Sequence, residues 1–199
     1  MYIIKKTQNN ITAINDEAWE RANVAPITIN NWKGYDYVPD TSAKFLYNSY
    51  GIYVQMTTNE KPLLARYTEQ NDPVCKDSCM ELFIRPHEND KRYLNFEFNP
   101  FGTMYLAVRT TRDDPEYPDE DKKYFEVKSY IDDGIWIHQF VIPFEFIDRI
   151  YGTHTKRMYG NLYKCGEDTP KEHYISYYPL GSNIEDFHRP DFFGEFVLE

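Results

Sequence analysis

Two carboxylates are set among residues that suit polar ligand chemistry. Glu81 lies in Met80–Arg85, where Met80, Leu82 and Ile84 alternate with Glu81, Phe83 and Arg85. Glu97 lies in Arg92–Phe98, where Leu94, Phe96 and Phe98 alternate with Tyr93, Asn95 and Glu97, and Asn99 follows in phase. A period of two puts each set on one face of a strand. If the two strands pair, carboxylates, amides and rings share one outward, wet sheet face. A sugar needs that mixture, because its C–H faces pack on rings and its hydroxyls seek charged hydrogen-bond partners. The same two carboxylates could instead serve as the acid and the nucleophile or base of a glycoside hydrolase. That requires a separation of about 5–5.5 Å for retention or about 6.5–9.5 Å for inversion. The plain structural alternative is a half-exposed face carrying an Arg–Glu pair.

Other chemistry is thinly represented. Ser78 stands between Asp77 and Cys79, and five histidines are scattered, but no nucleophile elbow, phosphate loop, dinucleotide fingerprint, H-E-x-x-H or EF-hand loop is present. Cys75 and Cys79 are four apart and Cys165 is distant. Zinc would want a fourth ligand, His173 or His87, and neither stands at metal-site spacing, so free thiols are expected. Met56 or Met104 with His138 could be imagined as haem ligands, but these residues are expected to fill the core. Calcium needs six to eight oxygens. The available clusters are Asp113-Asp114 with Glu116, Asp119–Asp121, and Asp132-Asp133.

The elements that would hold these groups are strands. Runs rich in Tyr, Phe, Val and Ile recur between turn residues, the pattern of an all-β sandwich. Candidate strands are Ile27–Asn30, Ala43–Tyr47, Gly51–Thr58, Met80–Arg85, Arg92–Phe98, Thr103–Thr110, Tyr124–Tyr130, Ile135–Ile142, Arg157–Lys164, His173–Tyr178 and Phe192–Leu198. About ten strands in one domain over residues 1–199 is the expectation. Asp132-Asp133-Gly134 signals a hairpin turn. Helical turns fit only Asn15–Ala22 and Pro143–Ile150. The loops Glu69–Lys76 and Gly181–Asp191 lie near strand ends, where binding groups usually sit.

The 199 residues carry 32 acidic and 22 basic side chains, a net charge of −10, with 18 Tyr and 13 Phe. Such acidity repels phosphate backbones, so no nucleic-acid partner is expected. The aromatics argue against a disordered acidic tail. No apolar run approaches the ~18 residues of a membrane span. The start, Met1-Tyr-Ile-Ile-Lys-Lys, does not read as a signal peptide. A cytoplasmic location is expected, or a secreted or periplasmic one if a leader was removed.

Four segments in order carry a resemblance: Val74-Cys75-Lys76-Asp77-Ser78-Cys79-Met80-Glu81-Leu82-Phe83-Ile84; Tyr93–Thr103 with its Asn99-Pro100-Phe101-Gly102; Gly160–Gly166 with His173–Ser176; and Phe187-His188-Arg189-Pro190-Asp191-Phe192-Phe193-Gly194. Together they resemble the family 9 carbohydrate-binding module, particularly its family 9-like branch, over roughly residues 10–199. The resemblance implies a two-sheet β-sandwich of jelly-roll type, bound calcium, a role in polysaccharide metabolism and a carbohydrate ligand held without catalysis. In xylanase-linked members two tryptophans sandwich a terminal sugar while a carboxylate, an amide and an arginine bond its hydroxyls. Carried onto this chain, the carboxylate matches Glu81 and the amide Asn99. The tryptophans fall at Cys75 (or Val74) and Phe187, and the arginine at Glu97. The expected site is therefore a shallow cleft between the Glu69–Lys76 and Gly181–Asp191 loops. Glu81, Glu97 and Asn99 would floor it, Phe187 would be a free stacking ring, and Tyr163, Trp136 or Tyr93 would form a second wall. The alternatives are a small glycoside hydrolase using Glu81 and Glu97, and a sandwich whose sheet face meets a partner protein.

Overall fold

Alternating apolar residues make thirteen strands in a computed structural model that describes all residues 1–199. They are β1 (Tyr2–Lys6), β2 (Val24–Pro26), β3 (Ile29–Asn30), β4 (Thr41–Tyr47), β5 (Gly51–Thr58), β6 (Cys79–Arg85) and β7 (Tyr93–Phe98). After these come β8 (Met104–Arg109), β9 (Lys128–Asp132), β10 (Ile135–Pro143), β11 (Arg157–Cys165), β12 (Tyr174–Ser176) and β13 (Gly194–Leu198). The single α-helix, α1 (Phe144–Tyr151), ends at Gly152 in the left-handed region (φ 84°), where a glycine cap is favoured. No helix is long and apolar enough to cross a membrane.

One sheet runs β8-β7-β6-β11-β13-β1 and the other β1-β4-β5-β10-β9. Strand β1 belongs to both. Tyr2–Ile4 pair in parallel with Phe196–Leu198, and Lys5–Lys6 in parallel with Leu46–Tyr47. The two sheets of the β-sandwich are therefore joined where the chain's two ends meet, while the outer strands β8 and β9 do not pair with each other. Between the sheets lies a core to which β4 and β5 give Phe45, Val54 and Met56, β6 and β7 give Leu82, Ile84, Leu94 and Phe96, and β10 gives Trp136 and Phe140. The Asp132-Asp133-Gly134 signal is a two-residue hairpin turn. Asp133 (φ 46°) and Gly134 (φ 75°) both take positive φ, as a primed turn requires.

Several expectations are corrected. The terminal Tyr2–Lys6 segment, passed over in the sequence, is the strand joining the sheets. The run expected at Tyr124–Tyr130 pairs only from Lys128, because Tyr124–Glu126 turn, with Glu126 at φ 50°. The expected helical turn at Asn15–Ala22 is a short 3-10 turn, Glu17–Arg21. The largest correction concerns the face read as wet. Glu81, Phe83, Tyr93, Asn95 and Glu97 are all buried. A second apolar cluster covers that face, in which Phe83, Tyr93 and Tyr163 of the strands meet Trp32, Val74, Leu180, Phe187 and Phe193 of the loops. Rings at the outward positions Phe83 and Tyr93 were the sign that loops would fold over them.

The candidate site beneath the loops

Strands β6 and β7 set Glu81 directly opposite Glu97, and β11 sets Tyr163 opposite Glu81 and Cys165 opposite Cys79. Two loops are then tied across this strip. The first is pinned by Asp77, whose buried carboxylate accepts from Arg66 N (2.8 Å), Tyr67 N (3.1 Å) and Asn99 Nδ2 (3.0 Å) and bonds Arg66 Nε (3.0 Å). It places Cys75, in the turn Val74–Lys76, at the rim. The second is pinned by Asn31 Oδ1 accepting from Leu180 N (2.7 Å), Trp32 Nε1 donating to Ser182 O (3.1 Å) and the Tyr163 hydroxyl donating to Phe187 O (3.1 Å).

Between the loops is a cavity of about 90 Å³. Glu81 and Glu97 line it beside Cys75 and Cys165; Trp32, Tyr174 and Phe187 supply ring surface; Arg112, Glu167, Glu185, Asp186 and His188 complete the lining. Glu81 Oε1 accepts from the Cys165 thiol (3.0 Å) and Glu97 Oε1 from Asn95 Nδ2 (3.0 Å). The second oxygen of each carboxyl has no protein partner and is not sealed in the interior. Burial pushes Glu97 up to about 7, against the Asn95 hydrogen bond and the Arg109 charge. Burial raises Glu81 well above the usual carboxylate range, and the charge on Glu97 raises it further. Near neutral pH these groups can therefore donate as well as accept. Burial also holds His188 neutral, down to about 4.

The expected residues fall out unevenly. Glu81, Glu97 and Phe187 line the cavity, and its rim is drawn from the two expected loops. Asn99 is fully buried outside the lining: Nδ2 donates to Tyr67 O and Asp77, and Oδ1 accepts from Phe101 N and Thr103 N. It holds the turn after β7 and the first loop together. Tyr163 is fully buried behind Phe187. Phe187 is not a free ring. It stacks on Tyr163 (4.2 Å, 14°) and Trp32 (5.5 Å, 25°), so protein rings occupy its faces. Trp136 lies in the inter-sheet core and Tyr93 is fully buried, so neither forms a wall. His138 fills the core, packed 4.1 Å from the Phe98 ring. His173 is held by Lys164 Nζ (2.9 Å) and belongs to no converging set of metal donors.

Four lining residues, Trp32, Arg112, Glu167 and Tyr174, escaped the sequence reading. Trp32 sits in the turn Asn30-Asn31-Trp32-Lys33-Gly34, and a large ring amid turn residues was the available signal. Arg112, in the acidic excursion after β8, brings a guanidinium to a pocket whose expected arginine position is Glu97. In the acidic clusters considered for calcium, Asp114 accepts from Thr110 N and Thr111 N, Asp121 from Lys123 N and Tyr124 N, and no three carboxylates converge anywhere.

Residues 13–198 match the family model described as carbohydrate-binding family 9. Among solved structures, a candidate carbohydrate-binding protein from Bacteroides uniformis is similar at TM-score 0.84 and 26% identity, over 99% of this chain and 98% of that one. A family 9 module from Caldicellulosiruptor kristjanssonii in complex with cellotriose is similar at TM-score 0.70 and 13% identity, over 100% of this chain and 93% of that one. The same organism's module in complex with glucose gives TM-score 0.69 at 13% identity, over 99% and 94%. No protein of curated function matches the chain.

Proposed function

The chain belongs to carbohydrate-binding family 9, and from that premise we propose that it binds carbohydrate without catalysis in the pocket between the two loops. One observation carries the reading. Two buried carboxyls on adjacent strands each leave an oxygen free toward a cavity with tryptophan, tyrosine and phenylalanine in its lining. Hydroxyls would exchange hydrogen bonds with Glu81 and Glu97, Arg112 would donate, and Trp32 and Tyr174 would contact the sugar's C–H surface. The family relatives from Caldicellulosiruptor kristjanssonii hold cellotriose and glucose, which makes these the first ligands to try.

The test is calorimetry with glucose and cellotriose, preceded by a broad glycan array, on wild type, Glu81→Gln and Trp32→Ala. Little area is buried, so Kd should fall between roughly 10 µM and 1 mM. Losing one neutral hydrogen bond costs about 0.5–1.5 kcal/mol, so Glu81→Gln should weaken binding roughly 2–10-fold. Far-ultraviolet dichroism checks that the variants are folded. No sugar should be released from polysaccharide. Silence across the array, or affinity unchanged in both variants, would refute the proposal.

A further inference from the structure

Behind the cavity floor lies a donor set that shares Glu81 with the sugar reading and adds two cysteine sulfurs which that reading does not use. Cys79 and Cys165 face each other across β6 and β11, and Glu81 sits two residues along β6 from Cys79. The Cys79 and Cys165 sulfurs and a Glu81 carboxylate oxygen all lie within 4.8 Å of one another, and it is the one such convergence of His, Cys, Asp and Glu in the molecule. All three side chains are buried. All three cysteines are free thiols, and the Cys165 thiol already points its proton at Glu81 Oε1, 3.0 Å away.

A tetrahedral zinc ion has bonds of about 2.3 Å to sulfur and 2.0–2.2 Å to oxygen, so its donors stand roughly 3.5–3.8 Å apart. The trio is near that size before any ion enters. Two thiolates and a carboxylate suit a borderline or soft divalent cation, whereas calcium and magnesium take oxygen shells. The charge around the trio agrees. Glu97, Glu167, Glu185 and Asp186 line the same cavity, against Arg112 alone, which is 3.4 Å from Asp186. The nearest buried ammonium, Lys164, is held by Glu60 at 2.6 Å. Glu81 and Cys165 line the cavity, so the open side of the trio faces it.

We propose that Cys79, Cys165 and Glu81 form a site for a thiophilic divalent cation such as zinc, with three protein donors and a fourth position open to the cavity. The ion replaces the ligand protons: two S–H bonds and the O–H bond of protonated Glu81 break, two metal–sulfur bonds and one metal–oxygen bond form, and two to three protons leave to the buffer. The proposal does not depend on sugar binding.

The test uses the full chain, reduced and stripped with chelator. Cadmium is titrated while thiolate-to-metal charge-transfer absorption is read, and zinc is titrated by calorimetry in two buffers of different ionisation enthalpy. The absorption should rise to an end point at one equivalent, and zinc uptake should release two to three protons. Loss of an outer partner already costs about 10–100-fold in metal affinity, so Cys165→Ser or Cys79→Ser should lose more than ~100-fold. Cys75→Ser should retain both signals. Should the serine variants fail to fold, Glu81→Gln serves in their place: it keeps both sulfurs, so it should hold the absorption while weakening affinity at least ~10-fold. Absent absorption, no proton release, or affinity that follows Cys75 would overturn the site. Loss of glucose binding with metal uptake intact would bear on the sugar reading alone.

Discussion

Replacing Glu97 by Gln should make the protein's stability less sensitive to pH in a defined window. Glutamine keeps the side chain's size, and its carbonyl oxygen can still accept from Asn95 Nδ2. In the folded state burial lifts the carboxyl from its usual 4.5 to about 7. A folded pKa raised above the unfolded one means the associated stability is fully present below pH 4.5. It is lost as pH rises through about 7, because the unfolded chain ionises first. At about 1.36 kcal/mol per pKa unit, wild type carries a penalty of roughly 3 kcal/mol at pH 8 that the variant lacks. Glu97 also raises Glu81, so its removal relieves a second buried acid in the same direction. His138 and His173 (about 3) and His188 (about 4) act oppositely, since depressed values remove stability as pH falls below 6.5. The difference between variant and wild type cancels those histidines and isolates the carboxyl. Urea unfolding with chelator present, at pH 4.5, 6 and 8, should show the variant gaining about 3 kcal/mol relative to wild type across the series. In melts that is roughly 6–12 °C for a domain of this size. A difference that is flat with pH, or a variant weaker at pH 8 than at 4.5, would show that Glu97 is ionised in the fold and would refute the reasoning.

Two further outcomes follow from buried groups. Lys164→Met strands the Glu60 carboxylate, which is 1% exposed and paired to Lys164 at 2.6 Å, so denaturant melts should lose about 3–5 kcal/mol. Adding Glu60→Leu should recover most of it, and a double variant no better than the single would contradict the pairing. Phe187→Ala should cost about 3–5 kcal/mol, because the ring is packed between Tyr163 and Trp32 and only 9% exposed. A melting temperature unchanged in Phe187→Ala would instead support the free loop ring expected from sequence.

The strands were legible because period-two alternation survives wherever one face meets the inter-sheet core, as in Leu94, Phe96 and Phe98. The other face was misjudged because alternation cannot tell water from a loop. Glu81 and Glu97 read as wet although the loops carrying Val74, Leu180, Phe187 and Phe193 cover them. The β1 strand was missed because it pairs with residues near 46 and 197, contacts that no local pattern encodes. Asn99 matched the family's amide in position, but the turn after β7 and the loop at Tyr67 and Asp77 absorb all its hydrogen bonds. Trp32 and Arg112 reach the pocket from segments distant in sequence, so neither could be placed beside Glu81 before the topology was known.

The most direct measurement of the central claim is a nitrogen–proton correlation titration of the labelled chain with glucose and cellotriose. Binding in the pocket predicts that shifts gather at the Trp32 indole N–H and at residues 81, 97, 112 and 185–188, and that they saturate with one affinity. Shifts gathered elsewhere, such as the groove between Thr12–Asn15 and Lys128–Asp132, or none at saturating sugar, would contradict it.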